Sequence, residues 1–143
     1  MRFWDSSALV AVLAEEPASG LVVPLLRADP AAVVWWASPV ECASAVARRR
    51  REGLLRARQV DVFLRALREL GEAWQVVVPG PSVGEAAIRL LMVHALRAGD
   101  ARQLAAALAW SDGRPAGRDI VTLDERLAAA ARLEGFTVLP ETP

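Results

Sequence analysis

The side chains best suited to chemistry in this sequence are four carboxylates from distant parts of the chain. Each follows an apolar run or opens a helical segment; they are Asp5, Glu41, Asp100 and Asp124. If they gathered without a basic partner they would repel one another, and a bound cation would relieve that repulsion. Groups of carboxylates favour hard ions such as Mg²⁺ or Mn²⁺. Such an ion polarises phosphoryl oxygens, so these residues predict metal-assisted phosphodiester hydrolysis.

Each acid also has an ordinary structural explanation. Asp5 and Asp100 are of a residue type that commonly caps a helix N-terminus, and Asp124 suits the positive end of a helix dipole. Glu41 completes a capping box that starts at Ser38. Because helix caps are far more common than active sites, one acid alone does not indicate an active site. Four acids that converge at one place do indicate one.

Short apolar runs alternate with longer helical patterns along the chain. The runs predict buried strands by their length and residue types, at Arg2–Asp5, Ala32–Ala37, Trp74–Val78, Ile120–Val121 and Phe136–Leu139. The longer segments predict helices at Ser6–Ala14, Pro17–Ala28 with a kink or late start because of Pro24, Ser38–Arg51, Leu54–Leu70, Ser82–Arg97, Asp100–Trp110 and Thr122–Leu133. Three of these helices start with a capping-box pattern, at Ser38, Ser82 and Thr122.

The connections between the strands are too long for hairpins, so the strands are expected to run parallel with helical crossovers. The nearly continuous apolar character of each strand indicates a sheet covered on both faces. The sequence therefore predicts an α/β fold, a three-layer α/β/α sandwich around a central, mostly parallel sheet of about five short strands. We expect a single domain over residues 1–143. In such sheets ligands bind beyond the carboxyl ends of the strands, where the four acids are expected to meet.

Composition narrows the functional classes. The chain has 143 residues, of which 54% are hydrophobic and 24% charged, and its formal net charge is +0. No uncharged apolar stretch is long enough to span a membrane, and Asp5 interrupts the early apolar run, so neither a membrane span nor a signal peptide is expected. Cys42 is the single cysteine, which excludes a disulfide within the chain and favours the cytoplasm. A neutral balance argues against a protein that coats nucleic acid by charge alone.

Four short blocks around the acids resemble the signature blocks of PIN domains. These blocks are Asp5–Leu9, Glu41–Ala45, Asp100–Ala105 and Thr122–Leu127. Their order and spacing, together with the chain length, are most similar to ribonuclease toxins of the VapC type, which occur in bacterial and archaeal toxin–antitoxin pairs. The resemblance extends over nearly the whole chain, from the first strand to Val138.

The resemblance implies an endoribonuclease that depends on Mg²⁺ or Mn²⁺ and hydrolyses RNA. It assigns catalysis and metal binding to Asp5, Glu41, Asp100 and Asp124, with Ser6 and Thr122 supporting the metal site through hydrogen bonds. Asp112 and Asp119 are alternatives for the fourth acid, although Asp124 follows its strand directly. The resemblance also implies a homodimer and a neutralising antitoxin whose tail occupies the active-site groove.

A basic run lies at the end of the predicted helix that carries Glu41. It consists of Arg48, Arg49, Arg50 and Arg51, and Arg56 and Arg58 follow closely. Guanidinium groups bind phosphates in a bidentate manner, so the run could contact RNA or an acidic segment of the antitoxin. It could equally be a solvated helix end, where cations suit the helix dipole.

Other reactive or bulky residues have structural explanations. His94 lacks an acidic partner in the sequence pattern and is expected on a helix face. Cys42 lacks a matching histidine and is expected in the core. One of Trp35 and Trp36, together with Trp110, is a candidate for exposure at an interface.

Two other functions start from the same residues. A phosphatase of the haloacid-dehalogenase type also begins with an aspartate after the first strand. It requires a second aspartate where this chain has Ser7, and a lysine that the chain lacks. A non-catalytic PIN-like module that binds RNA or protein remains the alternative, although the four intact acids favour an enzyme.

Overall fold

A computed structural model of the protein describes residues 1–141 and contains one five-stranded sheet. Its strands are β1 (Arg2–Trp4), β2 (Ala32–Trp35), β3 (Gln75–Val77), β4 (Asp119–Val121) and β5 (Thr137–Leu139). They are arranged in the order β3-β2-β1-β4-β5, and every neighbouring pair is parallel. This arrangement confirms the predicted α/β class and the predicted parallel sheet.

Seven helices within residues 1–141 connect and cover these strands. They are α1 (Ser6–Leu13), α2 (Ser19–Ala28), α3 (Ser38–Arg51), α4 (Ala57–Gly71), α5 (Pro81–Val93), α6 (Ala98–Trp110) and α7 (Glu125–Glu134). Every connection between successive strands contains at least one helix, as parallel pairing requires. None of these seven helices is long and apolar enough to cross a membrane.

Successive residues of the central strands face opposite sides of the sheet, and both sides are buried. On β1, Phe3 packs among α5, α6 and α7, whereas Trp4 packs among α1 to α4. On β4, Ile120 and Val121 divide in the same way. All four side chains are buried, so the middle of the sheet is covered on both faces. The result is the predicted three-layer sandwich, with α1–α4 in one layer and α5–α7 in the other.

The sheet changes its direction of winding between β1 and β4. β2 and β3 are added on one side of β1, and β4 and β5 are added on the other. In open parallel sheets ligands bind at the carboxyl edge next to such a switch point. Asp5 directly follows β1 and Thr122 directly follows β4, so these two residues flank that position.

Three helices, α2, α4 and α7, begin later than the first residue of their sequence pattern. α2 begins at Ser19, the late start that was one of the two outcomes expected from Pro24, and it continues through Pro24. α4 begins at Ala57, because Leu54 lies in the turn that follows α3. These shifts leave the order of the elements unchanged.

The predicted break between helices at Gly99 and Asp100 is wrong. α5 ends at Val93 and α6 begins at Ala98, so both residues lie in the first turn of α6. The carboxylate of Asp100 accepts a 3.1 Å hydrogen bond from the backbone N–H of Arg97, the residue that precedes the helix. Glycine is tolerated there because the first turn of a helix has few intrahelical hydrogen bonds to lose.

The predicted capping boxes at Ser38 and Ser82 are also wrong. Both serines lie inside their helices, whose N-caps are Ala37 and Gly80, and neither cap makes a side-chain hydrogen bond. Ala37 already has helical dihedral angles, so the turn of α3 starts one residue earlier than the pattern implies. In α5 the first helical residue is Pro81, whose fixed φ suits that position.

The third predicted cap falls at a different residue. Asp124 rather than Thr122 is the N-cap of α7, and its Oδ1 accepts a 2.9 Å hydrogen bond from the Leu127 N–H. The Thr122 hydroxyl makes its hydrogen bonds at the carboxyl edge of the sheet instead. A long-range contact has therefore replaced the local cap that the sequence pattern predicts.

Candidate active site

Asp5 is a buried carboxylate at the carboxyl end of the central strand, with 4% of its surface exposed. Its Oδ2 atom accepts hydrogen bonds from the Ser7 N–H at 3.2 Å, from the Ser7 hydroxyl, and from the Thr122 hydroxyl at 2.9 Å. The bond from the Ser7 N–H makes Asp5 the N-cap of α1. The same side chain therefore caps a helix and links the ends of β1 and β4.

Burial raises the pKa of Asp5 above its usual value. Hydrogen bonds from Ser7 and Thr122 oppose this rise in the pKa, and the negative charge of Glu41 adds to it. An ionised carboxylate here is both desolvated and close to a like charge, and each effect disfavours the charged form. Within residues 1–141 no arginine forms an ion pair with Asp5 or Glu41.

Ser6 joins Glu41 to Asp5. The Ser6 hydroxyl donates to Glu41 Oε2 at 2.7 Å, and its oxygen lies 3.4 Å from Asp5 Oδ1. Glu41 lies in the first turn of α3, just beyond β2, and β2 is a direct neighbour of β1. Two acids from distant parts of the chain meet because their strands are adjacent and parallel.

Gln103 belongs to this group, although the sequence analysis did not identify it. It is 1% exposed, and its Nε2 donates to Glu41 Oε2 at 2.9 Å and to Ser38 Oγ at 3.1 Å. Its Oε1 is buried without a hydrogen-bond partner among the described residues. The available signal was one amide within an Ala- and Leu-rich helix. Ser38, predicted as a helix cap, is instead an acceptor for this amide.

Each of the two joined carboxylates binds the protein through one oxygen and leaves the other oxygen available. Asp5 Oδ1 has only the 3.4 Å contact with Ser6, and Glu41 Oε1 has no hydrogen bond in the part of the chain that the structure describes. Mg²⁺ usually binds through one or two carboxylates, with water and substrate phosphates as the remaining ligands. The Asp5–Glu41 pair therefore fits a hard divalent cation.

Asp124 is tied to this pair through its backbone. Its N–H donates to the Thr122 hydroxyl at 3.1 Å, and that hydroxyl donates in turn to Asp5. The side chain of Asp124 bonds to the first turn of α7. Thr122 thus links the first acid to the backbone of the fourth.

Asp100 lies on α6, one turn before Gln103. Residues three apart on a helix are neighbours on one face. Gln103 reaches Glu41 at the carboxyl edge of the sheet, whereas the carboxylate of Asp100 bonds to the N–H of Arg97.

The four acids predicted from the sequence thus fall into two groups. Asp5 and Glu41 are joined through Ser6, whereas Asp100 and Asp124 each hydrogen-bond at the start of their own helix. Within residues 1–141 no three His, Cys, Asp or Glu side chains lie close enough together to hold a metal ion. The site therefore consists of one pair of carboxylates, Asp5 and Glu41. The two other acids, Asp100 and Asp124, lie at the starts of α6 and α7.

The two alternatives for the fourth acid lie away from this pair. Asp119 opens β4 at the amino edge of the sheet, where its Oδ2 accepts a 3.2 Å hydrogen bond from Arg2 Nε. Asp112 lies in the turn after α6 and has a φ of 51°. Of the three candidates, Asp124 is the one that follows β4 at the carboxyl edge.

A cleft of about 330 Å³ opens beside the joined acids. Its lining includes Ser6, Glu41, Arg48 and Arg49. Arg48 is exposed, whereas Arg49 forms an ion pair with Glu16. The first two arginines of the basic run at the end of α3 therefore lie in the same cleft as Glu41.

His94 and Cys42 are both structural. His94 was expected on a helix face but lies directly after α5 as its C-cap, where its Nε2 is 2.7 Å from Glu134 Oε1. Arg89 binds the same carboxylate through two nitrogens, at 3.2 and 2.8 Å. Cys42 is buried as expected, and burial, followed by the charges of nearby acids, raises the pKa of its thiol to about 12.

Comparison with known proteins gives matches in family and in fold. The family model described as "PIN domain" matches residues 2–133. A toxin–antitoxin complex from Klebsiella pneumoniae is 14% identical with a TM-score of 0.63, covering 90% of this chain and 91% of that chain. FitAcB from Neisseria gonorrhoeae is 17% identical with a TM-score of 0.67, covering 96% of each chain. VapC20 from Mycobacterium tuberculosis, a toxin that cleaves the sarcin-ricin loop, is 18% identical with a TM-score of 0.67, covering 91% of this chain and 95% of that chain. No curated protein matches in sequence.

Proposed function

The chain belongs to the PIN domain family, and on that premise we propose that it is an endoribonuclease that depends on Mg²⁺ or Mn²⁺ and hydrolyses phosphodiester bonds in RNA. The observation that carries the proposal is the buried Asp5 carboxylate, joined to Glu41 through Ser6 at the carboxyl edge of the sheet. Each carboxylate keeps one oxygen available, and no arginine in the described chain pairs with either.

Asp5 and Glu41 would hold a divalent cation, and Asp100 and Asp124 would complete its surroundings directly or through water. When bound, the cation would polarise the phosphodiester and stabilise the charge that develops during hydrolysis. The chain's own contribution is to fix the two carboxylates, since Ser6 bridges them. Asp5 is buried, so its electrostatic interaction with a bound group is stronger than it would be in water.

Arg48 and Arg49 would bind the RNA backbone beside the acids. Both line the cleft that contains Glu41, and guanidinium groups bind phosphate oxygens in a bidentate manner. Arg50 and Arg51 would extend this basic surface along the end of α3. Such contacts position the phosphate chain and do not select a base sequence.

We also propose that the enzyme is the toxin of a toxin–antitoxin pair, as the solved complex from Klebsiella pneumoniae suggests by its fold and its description. A groove of about 570 Å³ beside the end of α1 is lined by apolar side chains such as Leu13 and Leu54 and by charged ones such as Arg58. It shares Glu16 and Arg49 with the cleft beside the acids. An antitoxin tail that lies in this groove would reach the active site.

A homodimer is the proposed assembly. Trp36, the exposed member of the tryptophan pair at 57%, lies beside the edge strand β3, because its N–H bonds to the carbonyl of Val77. Further exposed apolar residues nearby are Val76 and Val78. Large exposed apolar groups commonly mark protein interfaces. Trp36→Glu should convert the dimer to monomers, as measured by light scattering after gel filtration.

RNA cleavage by the purified chain tests the enzyme proposal. Cleavage should stop on chelation with EDTA and return when Mn²⁺ is added. Asp5→Asn should abolish cleavage, whereas Asp119→Asn, at the opposite edge of the sheet, should retain it. Cleavage that persists without metal, or in Asp5→Asn, would contradict the proposal. RNA binding without product at every metal concentration would indicate the alternative, a non-catalytic PIN-like module.

The toxin proposal has a separate test. A short gene for a small DNA-binding protein is expected next to the gene of this chain. Its product should bind the purified chain and block RNA cleavage. If the product of the neighbouring gene neither binds the chain nor inhibits cleavage, the toxin proposal is contradicted, whereas the proposal of an endoribonuclease is unaffected.

A further inference from the structure

Gln103 is a buried polar side chain on a helix face that otherwise consists of Ala and Leu. It lies on the buried face of α6, where the next residues, Leu104 and Ala105, are fully buried. The Gln103 Oε1 atom has no hydrogen-bond partner within residues 1–141. A buried carbonyl without a partner destabilises the folded state and requires an explanation. The N–H groups of the same amide therefore contribute something that an apolar residue would not.

The two N–H groups of Gln103 bind the site described above. They donate to Glu41 Oε2 at 2.9 Å and to Ser38 Oγ at 3.1 Å. The reverse orientation of the amide would place Oε1 against Glu41 Oε2, which is an acceptor and would repel it. The carboxylate thus fixes the orientation of the amide, and the unpaired Oε1 is the consequence.

Glu41 Oε2 is held from both layers of helices. Ser6, on α1, donates from one layer at 2.7 Å, and Gln103, on α6, donates from the other at 2.9 Å. Both donors bind the same oxygen, so rotation of the carboxylate would break at least one hydrogen bond. Glu41 Oε1 is left without a hydrogen bond in the described chain and is available to a ligand.

We propose that Gln103 is a positioning residue, which holds the Glu41 carboxylate so that Oε1 stays available to a divalent cation beside Asp5. The inference rests on the proposed function, because it concerns the same site. Removal of a hydrogen bond that orients a metal ligand typically weakens metal binding by about 10–100-fold. Gln103 would therefore act on the cation through Glu41 without touching it.

The test measures Mn²⁺ binding to the purified chain in the absence of RNA, from the electron paramagnetic resonance signal of free Mn²⁺. Gln103→Met, similar in length but without N–H groups, should weaken binding by about tenfold or more. Its thermal unfolding midpoint without metal should change little, because the removal of the unpaired carbonyl offsets the loss of the hydrogen bond to the buried Ser38 hydroxyl. Gln103→Leu provides a second variant with the same expectation. Gln75→Met, at an exposed position of β3, is the matched control and should bind as the wild type does.

A double-mutant cycle separates positioning from a merely structural role. In a Glu41→Gln background, Gln103→Met should cause no further loss of Mn²⁺ binding, because the group through which it acts has already been changed. Additive losses, or wild-type affinity in both Gln103→Met and Gln103→Leu, would overturn the assignment. If either of these results were found while the wild type binds Mn²⁺, only the role of Gln103 would be refuted, and the proposed function would be unaffected. Absence of Mn²⁺ binding by the wild type would refute both.

Discussion

The Thr122 hydroxyl donates a 2.9 Å hydrogen bond to the buried Asp5 carboxylate, from the end of β4 to the end of β1. These two strands are neighbours where the sheet changes its direction of winding. The same hydroxyl accepts the N–H of Asp124. One short side chain therefore sets the spacing between the first acid and the backbone of the fourth.

Thr122→Val should lower both stability and RNA cleavage. Valine has the shape of threonine without the hydroxyl, so Asp5 loses a donor and the Asp124 N–H loses its acceptor. The expected loss is about 1–3 kcal/mol in the free energy of unfolding, with at least a tenfold decrease in cleavage. Urea unfolding and a cleavage assay measure the two effects. The control, Thr137→Val, makes the same change on β5 and should alter neither the free energy of unfolding nor RNA cleavage by much. If Thr122→Val were as stable and as active as this control, the proposed role of the Thr122 hydroxyl would be refuted.

Arg48→Gln should weaken RNA binding in a salt-dependent way. Arg48 is exposed and lines the cleft beside Glu41, so we expect it to contact a phosphate. Loss of one phosphate contact should reduce the slope of log affinity against log salt by about 0.7 for single-stranded RNA. Titrations at several salt concentrations measure the slope. Arg68→Gln, on α4, is the control, and an equal change in both variants would argue against a localised contact.

Glu134→Gln should destabilise the protein at neutral pH but not at low pH. The hydrogen bonds from Arg89, and then from His94, lower the pKa of Glu134 below its usual value. A lowered pKa means that this group stabilises the fold above its usual pKa, and that the contribution is lost as the pH falls through the lowered value. At pH 7 the loss should be about 1 kcal/mol, because a neutral amide cannot form the bidentate ion pair with Arg89, whose side chain is half exposed.

Urea unfolding of the wild type and of Glu134→Gln between pH 3 and pH 7 checks this prediction. The difference between the two proteins should narrow toward the acid end of the series. Glu85→Gln, at an exposed position of α5, should leave the free energy of unfolding almost unchanged. A difference between wild type and Glu134→Gln that stays constant with pH would show that Glu134 does not act through its charge.

Cys42 should be unreactive in the folded protein. It is buried, its Sγ lies 3.8 Å from the carbonyl oxygen of Ser6, and its thiol pKa is raised to about 12. Thiolate is the reactive form, so at pH 8 a thiol reagent should modify the chain far more slowly when it is folded than after unfolding in guanidinium. Rapid modification of the folded chain would indicate that the start of α3 opens readily.

The sequence was sufficient for the order of strands and helices, because burial on both faces imposes continuous apolar runs that are visible without a structure. It also indicated Asp5 and Glu41, since acids that follow parallel strands collect at one edge of the sheet. It misplaced the start of α6, because Gly99 resembles a helix break although the first turn of a helix tolerates glycine.

The local sequence determined that Ser38 and Thr122 would lie near helix starts, and that Gln103 would lie on a helix rich in Ala and Leu. Only the tertiary structure decided how their polar groups are used. A hydroxyl near a helix N-terminus can bond to its own backbone or to a group from another strand, and packing selects between these choices. At this sheet edge the carboxylates of Asp5 and Glu41 are strong acceptors, so they take the hydroxyl of Thr122 and the amide of Gln103, which no local pattern can reveal.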